Sequence, residues 1–394
     1  MQAIDFPLFD GDNHYYEAED AFTRHIDRKM RRRCMDWAVV NGRKELLVAG
    51  KINRFIPNPI FDPVARPGCL DAYYQGKNQA GLSIRDAFGA LEPIHPGYRN
   101  RDARLAIMDA QGMEGAFFFP TLGVGMEEAL VDDPPAVVAA FRAFNRWLAE
   151  DWGFAYRERI FAAPYLTLVD LDAAVDELEW VLAQEARVAV MRSAPVRVPG
   201  RSRSPADPHY DPFWARVAEA GITIAFHGGD AGYGRYFADW GEGGTVESFK
   251  VSGWKNVVGG TRAPFDCFAA LVSHGLFARH PNLRIASVEM GSNWVPWLLQ
   301  SFRRAWGIDP NAFPEPPVDT FKRHVWVSPF HEDDVSLLRA LVGADRLLMG
   351  SDWPHAEGLP EPKDYVRELG SFAPAEVRAV MHDNAAALAR RRPA

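Results

Sequence analysis

Short apolar runs alternate with longer segments of helical periodicity along most of the chain. Eight runs have the composition of strands, and several are apolar at nearly every position, which is typical of parallel strands buried on both faces. These runs cover residues 4–10, 114–121, 160–166, 187–193, 222–229, 283–291, 324–330 and 346–355. The pattern therefore predicts eight strands, most of them central in a sheet.

The segments between these runs predict amphipathic helices. In 172–186, the apolar residues Val175, Leu178 and Leu182 recur at helical spacing. Two prolines after Asp132 and Asp133 mark the start of a helix over 135–152. The remaining predicted helices cover 211–220, 265–279, 293–306, 333–342 and 374–390.

Alternating strands and helices of this number predict an α/β fold, specifically a (β/α)8 TIM barrel that forms a single domain over 1–394. An open, doubly wound sheet is the alternative. The first predicted strand is not followed by a glycine-rich phosphate loop, which counts against a dinucleotide-binding version of that sheet.

Two stretches do not fit the repeat. Residues 18–100 contain a basic, helix-like segment at 24–33 and then a chain interrupted by proline and glycine, and we expect them to be an insertion after strand one. Residues 230–262 are rich in glycine and aromatic residues, and we expect a lid loop after strand five. Long loops in compact domains are usually functional or disordered, and these are too aromatic to be disordered.

Composition narrows the class of protein. The 394 residues carry 44 Lys and Arg against 52 Asp and Glu, and this net charge of −8 argues against nucleic acid or an anionic membrane as partner. The three cysteines, Cys34, Cys69 and Cys267, form neither a disulfide framework nor a CxxC pair. We expect a cytoplasmic enzyme without an export signal or membrane span. Its 12 Trp suggest a homodimer.

Ionisable residues stand at the ends of the predicted strands, where a barrel places its active site. Asp12 and His14 follow strand one and, at i and i+2 of an extended chain, point the same way. His227 ends strand five and Asp352 ends strand eight. Alone, such an Asp is usually a helix cap and such a His a packed core residue. Together the four form a plausible set of ligands for one divalent cation.

Further candidates surround this set. Glu289 ends strand six and suits a proton carrier or a group that orients the substrate, and it is equally compatible with a supporting group that fixes a metal ligand or an arginine. Arg192 ends strand four and suits a clamp for a substrate carboxylate. His355 suits the pocket wall or a position that supports a metal ligand. Arg192 is equally compatible with a structural ion pair. His274, in a predicted helix, is either a packed residue or a further ligand.

Five stretches resemble the amidohydrolase-related family of the amidohydrolase superfamily, in the branch that contains aminocarboxymuconate-semialdehyde decarboxylase, dihydroxybenzoate and carboxyvanillate decarboxylases, and some C–C and ester hydrolases. They are FDGDNHYYE, GITIAFHGG, HPNLRIASVEMGSNWVPWLL, GADRLLMGSDWPH and MHDNAAALARR. The resemblance implies one metal ion, zinc or manganese, at Asp12, His14, His227 and Asp352.

Two departures from the family pattern affect the expected reaction. Asp12 replaces the His or Glu that family members often carry, and Glu289 replaces the His that the decarboxylases present at strand six. The Asp12 carboxylate is still a competent ligand and favours a harder metal. Because Glu289 replaces a group suited to an anionic substrate, we rank hydrolysis first, with metal-activated water attacking a small carbonyl substrate and Asp352 as general base. The alternative is non-oxidative decarboxylation of an aromatic or unsaturated carboxylate, with Asp352 protonating carbon. A barrel that only binds a ligand is a third hypothesis.

Overall fold

The computed structural model describes residues 4–250 and 252–392. The first three and last two residues of the predicted domain, and Val251 in the predicted lid loop, lie outside the described residues. The architecture is α/β, with parallel strands at the centre of the molecule.

Twelve strands occur within the described residues. They are β1 (Leu8–Tyr15), β2 (Met35–Val40), β3 (Arg43–Val48), β4 (Lys51–Ile52), β5 (Met113–Pro120), β6 (Ile160–Ala162), β7 (Val188–Arg192), β8 (Val196–Val198), β9 (Arg201–Arg203), β10 (Thr223–His227), β11 (Arg284–Val288) and β12 (Val325–Val327). Seven of them form two parallel sheets, in the orders β1-β5-β6 and β12-β11-β10-β7.

Isolated parallel bridges join the two sheets. Tyr165, just after β6, bridges to Val190 in β7. At the other side, the segment 347–353 lies between β12 and β1, because Leu347 bridges to Val327 and Trp353 bridges to Asn13. The backbone N–H of Leu348 also donates to Val327 O at 2.9 Å. The central strands thus follow one another in chain order, with neighbours on both sides.

Fifteen α-helices surround these strands within the described residues. They are α1 (Asp71–Tyr74), α2 (Ile84–Ala87), α3 (Arg101–Ala110), α4 (Met126–Ala129), α5 (Pro134–Asp151), α6 (Leu171–Ala183), α7 (Asp211–Ala220), α8 (Gly234–Asp239), α9 (Gly253–Ser273), α10 (Leu276–Arg279), α11 (Trp294–Ile308), α12 (Pro317–His324), α13 (Val335–Val342), α14 (Pro374–Arg378) and α15 (Asn384–Leu388). Acidic side chains begin several of them: Asp133 accepts from Ala136 N, and Asp170 accepts from Ala173 N.

The strand periodicity predicts seven of the eight central strands within a few residues, and the helix over 211–220 is confirmed to the residue. Three predictions of element type or extent within the strand–helix repeat are wrong. Residues 346–355 form bridges rather than a continuous strand, 265–279 is split between α9 and α10, and 374–390 is interrupted by a π-helical turn at Ala379–Asp383.

The stretch 18–100 contains structure of its own. The basic segment 24–33 forms turns rather than the predicted helix. It is followed by the antiparallel sheet β2-β3-β4, which the sequence analysis missed. The predicted lid, 230–262, contains α8 and the first half of α9. The two stretches meet, since Ser248 N donates to Phe55 O at 2.8 Å.

The core lies between the strands and the surrounding helices. Parallel strands β5, β7 and β10 contribute fully buried residues at almost every position, as their apolar sequences predict. None of the described helices is long and apolar enough to cross a membrane.

Candidate metal centre and cavity

Strand β1 supplies the first pair of functional side chains. All eight of its residues are buried, and its pairing with β5 is irregular between Asp10 and Asn13. Asp12 and His14 point to the same side, and His14 Nε2 lies 3.2 Å from Asp12 Oδ1. The strand extends through both residues, whereas the sequence analysis ended it at Asp10.

His227, the last residue of β10, faces the same point. Its Nδ1 lies 2.8 Å from the carbonyl oxygen of Gly228. Because a carbonyl only accepts, Nδ1 carries a proton, and Nε2 is the ring nitrogen that faces the cluster. That Nε2 is buried without a hydrogen-bond partner, 3.6 Å from Asp12 Oδ1.

Two carboxylates at later strand ends complete the cluster. Glu289 follows β11, and Asp352 lies in the segment that bridges to β1. Both have positive φ, 51° and 54°, a conformation that non-glycine residues rarely adopt and that is found most often at functional sites. Glu289 Oε2 lies 3.1 Å from His14 Nε2 and 3.2 Å from His227 Nε2.

Acidic groups dominate the electrostatics of this cluster. His14 Nε2 is within 3.3 Å of one oxygen from each of Asp12, Glu289 and Asp352. Burial alone lowers the pKa of His14, but the Asp12 and Glu289 carboxylates outweigh burial and raise the pKa to about 10. Burial opposes the ionised form of Asp12, yet its contacts with His14 and His227 keep its pKa below the usual value. The cluster is built to hold positive charge.

The donor atoms are close enough to share one cation. One ligand atom from each of Asp12, His14, His227 and Glu289 lies within 4.8 Å of the others, and the same holds for His14, Glu289, Asp352 and His355. Three of the four residues predicted as ligands, Asp12, His14 and His227, thus lie in one group, and Asp352 lies in the other; His14 and Glu289 belong to both.

Asp352 and His355 form a separate hydrogen-bonded pair. Asp352 Oδ1 lies 2.6 Å from His355 Nδ1, and His355 Nε2 lies 2.9 Å from Thr121 Oγ1. The Thr121 hydroxyl donates to Tyr15 O at 2.8 Å, so its oxygen accepts from His355 Nε2–H. One further proton must then lie between Nδ1 and the Asp352 carboxyl group.

Charge and burial favour that proton on Asp352. Burial and the nearby Glu289 carboxylate raise the pKa of Asp352 well above its usual value. Burial, with the charges of His14 and His227, lowers the pKa of His355 well below its usual value. The pair therefore holds one exchangeable proton next to the candidate metal centre.

Arg192 is placed differently from the predicted substrate clamp. Its Nη1 donates to Glu128 Oε2 at 2.6 Å, and its Nε lies 4.0 Å from Glu127 Oε1. This is the structural ion pair that the sequence analysis kept as the alternative. The same Glu128 also accepts from Arg197, which lies in β8.

A cavity of about 620 Å³ opens onto Glu289 and His355. Its walls are mostly apolar and aromatic, and come from the residue after β1, the 18–100 stretch, the end of β5 and the loop after it, the loop after β10, and the lid segment. They include Tyr16, Phe55, Phe61, Val64, Phe88, Leu91, Val124 and Phe249. A second cavity of about 610 Å³ lies around Arg284 and His324, at the amino-terminal ends of β11 and β12 and therefore at the opposite end from the cluster.

Glu357, which was not predicted from the sequence, also lines the cavity that opens onto Glu289 and His355. Burial, together with the Glu289 carboxylate, raises its pKa to about 7. The residue stands two positions after His355, in a stretch already assigned to the pocket wall. Its position in the WPHAEG sequence is the signal that could have identified it.

A second layer of polar residues supports β1. Asp10 accepts from Ser351 N at 3.0 Å and from Asn13 Nδ2 at 2.9 Å, and buried Arg104 donates to Asn13 Oδ1 at 2.6 Å. Glu17 accepts from the backbone N–H groups of two residues that follow β5, and this fixes the loop after strand one.

His274 lies away from this cluster. It is exposed at the end of α9, and its carbonyl oxygen accepts from Arg279 Nη1 at 2.7 Å. Its exposed position supports neither the ligand role nor the packed-residue role considered for it from sequence.

Comparison with known proteins finds similarity to an amidohydrolase structure and to decarboxylases. An amidohydrolase structure from Mycobacterium avium subsp. paratuberculosis K-10 superposes with a TM-score of 0.94 at 42% identity and covers 99% of each chain. Gamma-resorcylate decarboxylase from Rhizobium radiobacter is 28% identical over 268 residues, which are 64% of this chain and 76% of the relative.

A more distant structure shares the fold. Dihydroxybenzoic acid decarboxylase from Polaromonas sp. JS666, with bound manganese and the inhibitor 2-nitroresorcinol, has a TM-score of 0.58 at 20% identity, covering 82% of this chain and 93% of that chain. The family model for amidohydrolases matches residues 93–391. This match spans most of the chain, and the chain therefore belongs to the amidohydrolase family.

Proposed function

We propose that this protein is a metal-dependent, non-oxidative decarboxylase of a small aromatic or unsaturated carboxylate. The observation that carries the proposal is the aromatic cavity above the Asp352–His355 proton pair. A planar carboxylate fits apolar walls of this kind, and decarboxylation needs a proton donor at the carbon that loses CO2. The similarity to gamma-resorcylate decarboxylase supports the same reaction. This reverses the order of the two hypotheses from sequence.

We further propose that the central strands close into an eight-stranded barrel within one domain, with 18–100 as the insertion at its mouth. The bridges on both sides of 347–353 and between Tyr165 and Val190 support closure. All candidate groups then lie at the carboxyl ends of the strands, where barrel enzymes carry their active sites.

The residues present fit one divalent metal ion. The buried lone pair of His227 Nε2 has no hydrogen-bond partner, and the Asp12 and Asp352 carboxylates and His14 face the same point. We propose these four as ligands, for zinc or for the manganese that the Polaromonas relative carries. The bound ion would supply positive charge that holds the substrate's oxygen pair.

Side chains of this protein carry out the proton transfer. Asp352 delivers the proton that it shares with His355 to the carbon that loses carboxylate, and His355 positions it through Nδ1. Thr121 fixes the imidazole by accepting from Nε2. Arg192 is paired with Glu128, and we assign it no contact with the substrate.

Hydrolysis of a small carbonyl compound is the second candidate. It is favoured by Glu289, since this carboxylate lines the cavity and repels an anionic substrate. In that reaction Asp352 is the general base toward water.

A panel assay separates the candidates. We expect release of labelled CO2 from at least one hydroxylated aromatic acid, gamma-resorcylate included, with loss of release in Asp352→Asn and retention in the exposed control His274→Ala. Turnover of esters, lactones or β-diketones without CO2 release would establish hydrolysis instead. No turnover of either panel by metal-loaded protein would favour a ligand-binding role.

A further inference from the structure

The Glu289 carboxylate lies closer to the two candidate histidine ligands than a proton carrier or a substrate-orienting group would need to lie. Its Oε2 lies almost equally far from the Nε2 atoms of His14 and His227, at 3.1 and 3.2 Å. These two nitrogens are the ones that also face Asp12 Oδ1, at 3.2 and 3.6 Å. The Glu289 oxygen therefore points at the centre of the cluster, although the residue also borders the cavity.

The contact with His227 has no hydrogen bond to explain it. His227 Nδ1 points at Gly228 O, and Nε2, which is buried without a hydrogen-bond partner, points at Oε2 of Glu289. Carboxylate oxygens from Glu289 and Asp12 approach this nitrogen to 3.2 and 3.6 Å, an arrangement that a shared cation would explain.

The backbone holds Glu289 in this position. Its φ of 51° lies in the left-handed region, and a Cβ on Gly228 would lie 2.2 Å from the Glu289 carbonyl oxygen. Gly228 is thus the residue type that allows β10 and β11 to approach this closely at their ends. Strained conformations of non-glycine residues persist where the surrounding structure enforces them, most often at functional sites.

We propose that Glu289 is itself a ligand of the metal ion, in addition to Asp12, His14, His227 and Asp352. The proposal rests on the metal site of the proposed function. Two imidazoles and three carboxylates form an oxygen-rich set, which shifts preference from zinc toward a harder ion such as Mn²⁺. This substitution of Glu for the His expected at strand six would then set the choice of metal.

Metal affinity tests this assignment without using activity. Chelator-stripped full-length protein is titrated with Mn²⁺ and with Zn²⁺ by calorimetry, for wild type, Glu289→Gln, Glu289→Asp and the matched control Glu357→Gln. Glu357 is also a carboxylic side chain that lines this cavity, so its variant makes the same Glu→Gln change next to the cluster. We expect Glu289→Gln to weaken Mn²⁺ binding at least tenfold, and Zn²⁺ binding less, while Glu357→Gln stays within threefold of wild type.

The visible spectrum of bound Co²⁺ provides an independent readout, because its intensity rises as the coordination number falls. We expect a stronger band in Glu289→Gln, and a wild-type band in Glu289→Asp, which keeps a carboxylate. Equal effects of Glu289→Gln and Glu357→Gln on affinity, or an unchanged Co²⁺ spectrum, would overturn the assignment. Wild-type protein that binds no ion would instead refute the proposed function.

Discussion

A threonine hydroxyl determines where His355 holds its proton. Thr121 Oγ1 can only accept from His355 Nε2, because it donates to Tyr15 O. Thr121→Val removes that acceptor, so we expect the imidazole to exchange its proton between the two nitrogens. Under the proposed function the rate should fall about tenfold to a hundredfold with a shifted pH profile, as for other groups that orient a reacting side chain.

The ring nitrogen shifts of His355 in ¹⁵N NMR measure this tautomer directly. Thr23→Val, in a surface turn, is the control and should leave those shifts unchanged. Identical spectra and pH profiles for wild type and Thr121→Val would show that the hydroxyl does not position the ring.

Removal of a single ligand should empty the metal centre. His227→Ala takes away a buried lone pair, and Asp352→Ala takes away a carboxylate 3.3 Å from His14 Nε2. We expect about one ion per chain in wild-type protein after desalting and a small fraction of that in either variant, by elemental analysis. His274→Ala, at the exposed end of α9, should keep the full amount. A full complement in both variants would refute the ligand assignment.

Buried Glu17 should make stability depend on pH. Burial raises its pKa to about 7 even though the N–H groups of Leu122 and Gly123 favour the ionised form. The unfolded chain loses this proton near pH 4.5, so between pH 5 and 8 the folded state holds more protons, and stability falls as pH rises, by about 3 kcal/mol at most. In Glu17→Gln we expect a smaller drop in Tm over this range, and in exposed Glu219→Gln the wild-type drop. A wild-type drop in Glu17→Gln would assign the effect to other groups.

At the scale of elements, the close approach of β10 and β11 depends on one residue without a side chain. Gly228→Ala places a methyl group 2.2 Å from the Glu289 carbonyl oxygen, and this contact is with backbone, which limits relaxation. We expect a loss of about 1–3 kcal/mol of stability and weaker metal binding, since Glu289 and His227 both shift.

Gly260→Ala is the matched control. A Cβ there meets nothing within 4 Å, and alanine favours a helix by up to about 1 kcal/mol, so Tm should hold or rise. If Gly228→Ala kept the wild-type Tm and metal affinity, the strand ends would not be as closely packed as the structure indicates.

The strand ends also explain how much of the site was predictable from sequence. Asp12, His14, His227, Glu289 and Asp352 follow or end apolar runs, and parallel strands bring such residues to one edge whatever the loops do. The sequence could not indicate that Glu289 turns toward the histidines, because this depends on a positive φ. From sequence, Arg192 could pair with a substrate carboxylate or with an acidic side chain of the protein. The choice depends on the folded chain after β5, which brings Glu128 Oε2 to 2.6 Å from Arg192 Nη1.

The predicted boundaries of elements were wrong where long-range contacts, rather than local sequence preference, determine the backbone conformation. The segment 347–353 has a strand-like sequence and bonds to both neighbouring strands, but the positive φ of Asp352 bends it, so it forms isolated bridges rather than a continuous ladder. The basic run 24–33 has good helix formers, yet surface ion pairs such as Arg24 with Asp151 and Arg33 with Asp133 hold it in turns. Sequence periodicity does not record such long-range contacts.

At the scale of the whole molecule, the cavity depends on two segments that are far apart in the chain. Phe88 belongs to the 18–100 stretch and Phe249 to the lid segment, and their rings meet edge to face with centroids 5.1 Å apart. Both line the cavity that opens onto Glu289. Substrate selection should therefore depend on residues outside the central strands, while metal binding depends on residues at the ends of those strands.

Phe88→Ala and Phe249→Ala test this division. With the best aromatic acid from the panel, we expect each variant to raise KM about fivefold to thirtyfold at nearly unchanged kcat and metal content, because a half-buried ring contributes about 1–2 kcal/mol to binding. The double variant should lose less binding free energy than the two single variants together, since contact between the two rings contributes about 0.5–1.5 kcal/mol. Trp240→Ala, on an exposed lid residue outside the cavity wall, should keep the wild-type KM. If kcat fell with KM unchanged, or if metal were lost, the two segments would serve the metal centre itself rather than substrate recognition.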